Sequence, residues 1–64
     1  MSNIQVGDVV QLKIEDHWAN DLLMIVEETR DWGVVGFIPT PRGDAPIRAN
    51  HEHITAIWRR RHDA

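Results

Sequence analysis

The stretch Ala45–Trp58, A-P-I-R-A-N-H-E-H-I-T-A-I-W, decides the fold. A short apolar segment around Ile47 and Ala49 gives way to a polar break at Asn50–His53. That break is just long enough for one helical turn. A second apolar segment, Ile54–Trp58, follows it and reads as a final strand. Strand, single turn and short last strand are how a small open barrel ends. Pro46 has no N–H to give to a ladder, so the strand that contains it is confined to a sheet edge or starts late.

Working back from this unit, the pattern stays short and strand-like. Val34–Ile38 is a third strand, with Gly36 where a side chain would be crowded or a bend is needed. Pro39 and Pro41 are expected to stop it, and Arg42-Gly43-Asp44 to complete a hairpin turn. Thr29–Gly33 (T-R-D-W-G) reads as a turn. Leu22–Val26 is continuously apolar and becomes polar at Glu27, which suits a second strand. Glu15–Asp21 (E-D-H-W-A-N-D) is a polar loop carrying one Trp, rich in Asp and Asn whose side chains bond nearby backbone groups. Val10, Leu12 and Ile14 alternate with Gln11 and Lys13, the period-two signature of a half-buried strand. Val6-Gly7-Asp8 is the turn that launches it.

One rival pattern exists: His17–Thr29 can be drawn as a helix. Asp16 would cap it, and Trp18, Leu22 and Ile25 would share a face beside Ala19, Leu23 and Val26. Five short apolar segments at regular spacing, with turn signals between them, favour all-β. The expected core is Val10, Leu12, Ile14, Leu23, Ile25, Val35, Phe37, Ile47, Ile54 and Ile57. The complementary set Val9, Leu22, Met24, Val26 and Val34 is more apolar than one small barrel needs, which predicts a self-association face or an exposed patch.

Sixty-four residues make one domain. A chain this short buries only about 60% of its unfolded surface, so small domains lean on disulfides, metals or partners. Cysteine is absent, which excludes disulfides and thiolate zinc sites. Self-association is the support left, and a homo-oligomer is expected. The lack of Cys fits a cytoplasmic location. Met1–Asp8 has neither the basic nor the apolar region of a signal peptide. The longest apolar run, Leu22–Val26, is too short to span a bilayer. The net charge of −3 works against nonspecific nucleic-acid binding. It is unevenly spread. Residues 1–31 hold seven acids against Lys13 and Arg30, whereas residues 32–64 hold five Arg against three acids.

Val6–Lys13 (V-G-D-V-V-Q-L-K), followed after a loop by Leu23–Glu28 (L-M-I-V-E-E), resembles the opening hairpin of several small SH3-like barrels. These include KOW and Tudor-like modules and the YodC-like small bacterial proteins. The likeness covers roughly the first half of the chain. The YodC-like pattern has a Gly-Gly-Pro turn where this chain has Asn20-Asp21, and an aromatic near the end of strand three where this chain has Ile38-Pro39. Trimethoprim-resistant barrel reductases share the fold type. Their active-site strand carries a polar-aliphatic-Tyr triplet; the comparable place here is Ala56-Ile57-Trp58, so that activity does not carry over. What the resemblance implies is a fold: an all-β, five-stranded SH3-like open barrel over residues 1–58, with a short helical turn before the last strand. Residues 59–64 form a basic C-terminal tail.

Three Trp in so short a chain draw attention. On barrels of this kind, aromatics in the first long loop and on the last strand line grooves for proline-rich or methylated segments. Trp18, with His17 beside it, Trp32 and Trp58 are therefore the expected ligand contacts, set against the alternative that each Trp lids one end of the core. His51 and His53 would point the same way if extended and diverge in a helical turn; no zinc spacing is present, and no metal or cofactor is expected. Glu15, Asp16, Asp21, Glu27 and Glu28 all lie in polar contexts, unlike a carboxylate whose pKa is raised for acid–base work. The single Ser, Ser2, sits at the terminus, and there is no Cys or Tyr to act as a covalent nucleophile. The expected function is a small non-catalytic binding or adaptor module that self-associates and recognises a protein or peptide segment. A second possibility is a nucleic-acid-binding barrel that uses Trp58 with Arg59, Arg60 and Arg61, combining stacking with charge. A third is a small oligomeric enzyme with its site on a symmetry axis.

Overall fold

Val10 of the first strand lies directly opposite Met24 of the second, and this register orients everything else. The computed structural model describes residues 4–58. Its strands are β1 (Val9–Leu12), β2 (Leu23–Arg30), β3 (Gly33–Thr40), β4 (Gly43–Asn50) and β5 (Ile54–Trp58), with one 3-10 turn, His51–His53, between β4 and β5. All pairings are antiparallel, in the order β4-β3-β2-β1-β5. The single sheet is not closed: β4 and β5 are its two edges among the described residues. An open barrel is compatible with this arrangement. The segment 17–29 drawn above as a possible helix is instead a turn-rich loop running into β2.

Paired residues share a face, so the register sorts the apolar side chains into two sets. One face carries Val10 and Leu12 of β1, Met24 and Val26 of β2, Val34 and Ile38 of β3, and Ala49 of β4. These are buried, together with Ala19 from the β1–β2 loop. Ile4, Ile14, Ile47 and Ile54 pack around them. This corrects the expected core on β2 and β3. Leu23 is 46% exposed, Ile25, Val35 and Phe37 are half-buried on the opposite face, and Ile57 is 40% exposed. Met24, Val26 and Val34, assigned above to a self-association face, are core residues. On β2 and β3 the error is one of phase, whereas Ile57 lies on the core side of the edge strand β5. A continuously apolar run such as Leu22–Val26 does not say which alternate residues point inward; only the pairing with β1 does.

Two strand limits also differ from expectation. β3 runs through Pro39 to Thr40, since Pro39 comes after the last core position, and a two-residue turn at Pro41-Arg42 joins it to β4. β2 extends to Arg30, with a register shift between Val26 and Glu28 that leaves Glu27 as a bulge. Pro46 lies within β4, which is an edge, as the missing N–H requires.

Gly36 marks the tightest approach in the sheet. A Cβ there would run into the backbone carbonyl of Ile25 on the neighbouring strand and the Met24 side chain. Asp8 is the only buried charged residue among those described, at 2% exposure. Its Oδ2 accepts from the Gln5 N–H at 2.9 Å, its own N–H donates to the Gln5 carbonyl, and its carbonyl accepts from Val26 N–H at 2.9 Å. Gly7, at φ 95°, supplies the left-handed residue this turn needs. Asp8 thus ties the entry turn to β2.

Two consequences can be measured by chemical denaturation. Gly36→Ala costs about 3 kcal/mol, since the obstacle is backbone and cannot rotate away. Asp8→Ala costs about 1–3 kcal/mol, because the Gln5 N–H loses its charged acceptor in a part-buried site. A loss below about 0.5 kcal/mol in either case contradicts the stated role.

Candidate binding surface

The β1–β2 loop is held by its own hydrogen bonds. Leu12 N–H donates to Leu22 O, and Asp21 N–H returns the bond to Leu12 O at 2.9 Å. Inside it, Asn20 Oδ1 accepts from Ile14 N–H at 2.9 Å and His17 Nδ1 accepts from Ala19 N–H at 3.0 Å. Asp16 and Asp21 take positive φ values of 58° and 66°, conformations that Asp adopts more readily than most residues. Lys13 Nζ lies 3.4 Å from Asp21 Oδ1 across the loop mouth, an exposed pair of small energetic weight.

This framework presents Trp18 at the surface, 56% exposed. The His17 ring stacks against it at 5.6 Å and 29°. The next residue, Ala19, turns inward and is fully buried. Its polar neighbours hid it in the sequence, and only its small size hinted that the loop dips into the core there.

The other aromatics stand elsewhere. Trp32 is 44% exposed in the β2–β3 turn, and its carbonyl accepts from His51 N–H at 3.4 Å. Trp58 is 51% exposed, opposite Val9 at the start of β1, whereas the Trp18 loop leaves β1 beyond Leu12. The structure therefore brings His17 and Trp18 together and leaves Trp32 and Trp58 as separate exposed rings. Arg59, Arg60 and Arg61, named above for nucleic acid, lie outside the described residues.

The two sheet edges differ in kind. β4 (G-D-A-P-I-R-A-N) carries Asp44, Pro46 and Arg48, the charges and proline that discourage another strand from pairing. β5 (I-T-A-I-W) has no charge and no proline. Its irregularity is a register shift against β1 that leaves Thr55 as an extra residue, with Thr55 Oγ1 donating to Gln11 O at 3.4 Å. Beside β5 lies a shallow groove of about 220 Å³ lined by Ile4, His51, Ile54, Thr55, Ala56 and Ile57. Ile57 faces the core side of the sheet, opposite Val10, yet stays partly exposed because no strand continues beyond β5 among the described residues.

Glu15, Asp16, Asp21, Glu27 and Glu28 are all solvent-exposed. His51 and His53 sit on the 3-10 turn, where residues two apart point about 120° away from each other. Among the described residues no group of three or more His, Asp or Glu is placed to hold a metal ion. No helix among them is long and apolar enough to cross a membrane. Comparison with protein-family models, with curated proteins and with solved structures gives no match.

The loop gives a paired expectation. Trp18→Ala changes stability by less than about 1 kcal/mol, as for an exposed side chain. Ala19→Leu costs about 1–3 kcal/mol by overpacking the core. Urea denaturation of the two variants checks the contrast, and the reverse order of losses would place Trp18 in the core.

Proposed function

We propose that this chain is a non-catalytic binding module, an SH3-like open barrel that recognises an extended protein segment along β5. The observation that carries this proposal is the bare β5 edge, free of charge and proline, beside an apolar groove, while the opposite edge is guarded. An exposed edge strand offers a row of main-chain groups to an incoming strand, and a neighbouring pocket takes alternate side chains. Ile4, Ile54 and Ile57 supply the apolar floor; His51 and Thr55 supply polar atoms at its margin. A partner suited to this site is a short extended segment with apolar residues at every second position and no proline at its centre. The Trp18–His17 platform, held by the loop hydrogen bonds, offers a second contact for an aromatic or cationic side chain. The cysteine-free composition fits the reducing cytoplasm.

Peptide display against the full chain tests the proposal. It is expected to select sequences with period-two apolar patterning, and Thr55→Lys is expected to weaken their binding about tenfold or more, by placing a charge on the edge. Asp44→Ala, on the other edge, is expected to leave peptide affinity within about twofold, as for a residue that makes no contact with the segment. Selected peptides without alternation, or binding indifferent to Thr55→Lys, would remove β5 as the site.

A further inference from the structure

The face opposite the core is more apolar than solvent alone requires. At one level it carries Val9, Ile25, Phe37 and Pro46, one residue from each of β1 to β4, because the register places Val9 opposite Ile25, Ile25 opposite Phe37 and Phe37 opposite Pro46. At the next level Val35 lies between Glu28 on β2 and Arg48 on β4. The three longest strands, β2, β3 and β4, thus present a central apolar column, Val35 and Phe37, flanked on one side by an acid and on the other by a base. A shallow groove of about 330 Å³ lies along β3 and β4, lined by Val35, Pro46, Ile47 and Arg48.

We propose that this face binds the same face of a second copy of the chain, about a twofold axis running parallel to β3 over Val35 and Phe37. Sheets packed face to face sit about 10 Å apart with their strands nearly aligned. Rotation about such an axis exchanges β2 and β4. Val35 and Phe37 then meet their own counterparts, Ile25 meets Pro46 of the partner subunit, and Glu28 meets Arg48 of the partner subunit, twice over. The pattern is self-complementary in shape and in charge, as an isologous interface demands. Arg48 is exposed and makes no ion pair within the described chain, so it has a free charge to offer. Glu28 is paired with Arg30, but both side chains are more than half exposed, and such a contact is easily shared. The ridge carrying Ile25 and Glu28 fits opposite the groove along β4. The second copy is favoured over a foreign partner because the acid and the base stand equidistant from the axis, on the two strands that neighbour β3. This interface lies away from the β5 groove and does not depend on segment binding there.

Sedimentation equilibrium on the full chain across the micromolar range provides the test, with circular dichroism confirming the fold of each variant. The wild type is expected at about twice its 7.4 kDa monomer mass. Arg48→Glu and Glu28→Lys each place like charges at both contacts and are expected to weaken the dimer at least about tenfold. Mixed in equal amounts, the two variants are expected to dimerise again, since the heterodimer restores an opposite-charge pair at each contact. Three results would each overturn the proposal: a wild-type monomer throughout the range, a dimer insensitive to both reversals, or two monomeric variants that fail to rescue one another. An assembly larger than a dimer would likewise exclude the twofold arrangement. A dimer that survives both reversals but dissociates with Thr55→Lys would assign self-association to the β5 edge instead.

Discussion

The register between β1 and β2 is the constraint on which the molecule turns. With Val10 opposite Met24, alternation carries Leu12 and Val26 inward, and the β2–β3 pairing carries Val34, Gly36 and Ile38 to the same side. A slip of one residue would exchange the two faces of β2 and put Ile25 and Leu23 inside. The slip is resisted at two points. Reciprocal backbone bonds fasten the entry turn to Val26, with Gly7 N–H donating to Val26 O and Val26 N–H to Asp8 O, and Gly36 admits the Ile25 carbonyl where any side chain would obstruct it. A turn braced by a buried carboxylate and a missing Cβ therefore select among hydrophobic arrangements that area alone would leave nearly equal.

Much of the architecture is visible in the sequence because its signals are local. Pro46 announces an edge, the polar break Asn50–His53 holds one helical turn, and the last strand begins at Ile54 as the pattern indicates. Val10 and Leu12 declare their direction by alternating with Gln11 and Lys13. Leu22–Val26 and Val34–Ile38 do not, since both of their faces are apolar and the phase comes from a partner strand far away in the sequence. The bulge at Glu27 compounds the difficulty, for an extra residue inverts the alternation midway along β2. Proline 39 misleads for a different reason: a proline near a strand's end, beyond the core, interrupts little.

The exposed rings and the sheet edges were legible only in part. The polar surroundings of Trp18 correctly place it on the surface, and its stacking on His17 follows from their adjacency. That the three Trp stand apart depends on topology, which composition does not reveal. Nor could the contrast between guarded and bare edges be read before the strand order was known, since the same residues in an interior strand would mean nothing. The second face repeats the lesson. Ile25, Val35 and Phe37 look like core in isolation, and only the pairing shows them gathered on the opposite side with Glu28 and Arg48 at their flanks.

The difference between the edges has a bearing on how this chain behaves when crowded. A fibre built by strand addition needs two adhesive edges on every unit, one to receive and one to offer. Here β4 carries a proline and two charges along its length, so a β5 strand arriving at it meets neither a full ladder nor an apolar lip. Among the described residues, addition along β5 consumes the one edge without charge or proline, and the product presents the guarded β4 strands. Growth by this route ends after a single step, so an edge without charge or proline does not by itself make the chain a seed for polymerisation.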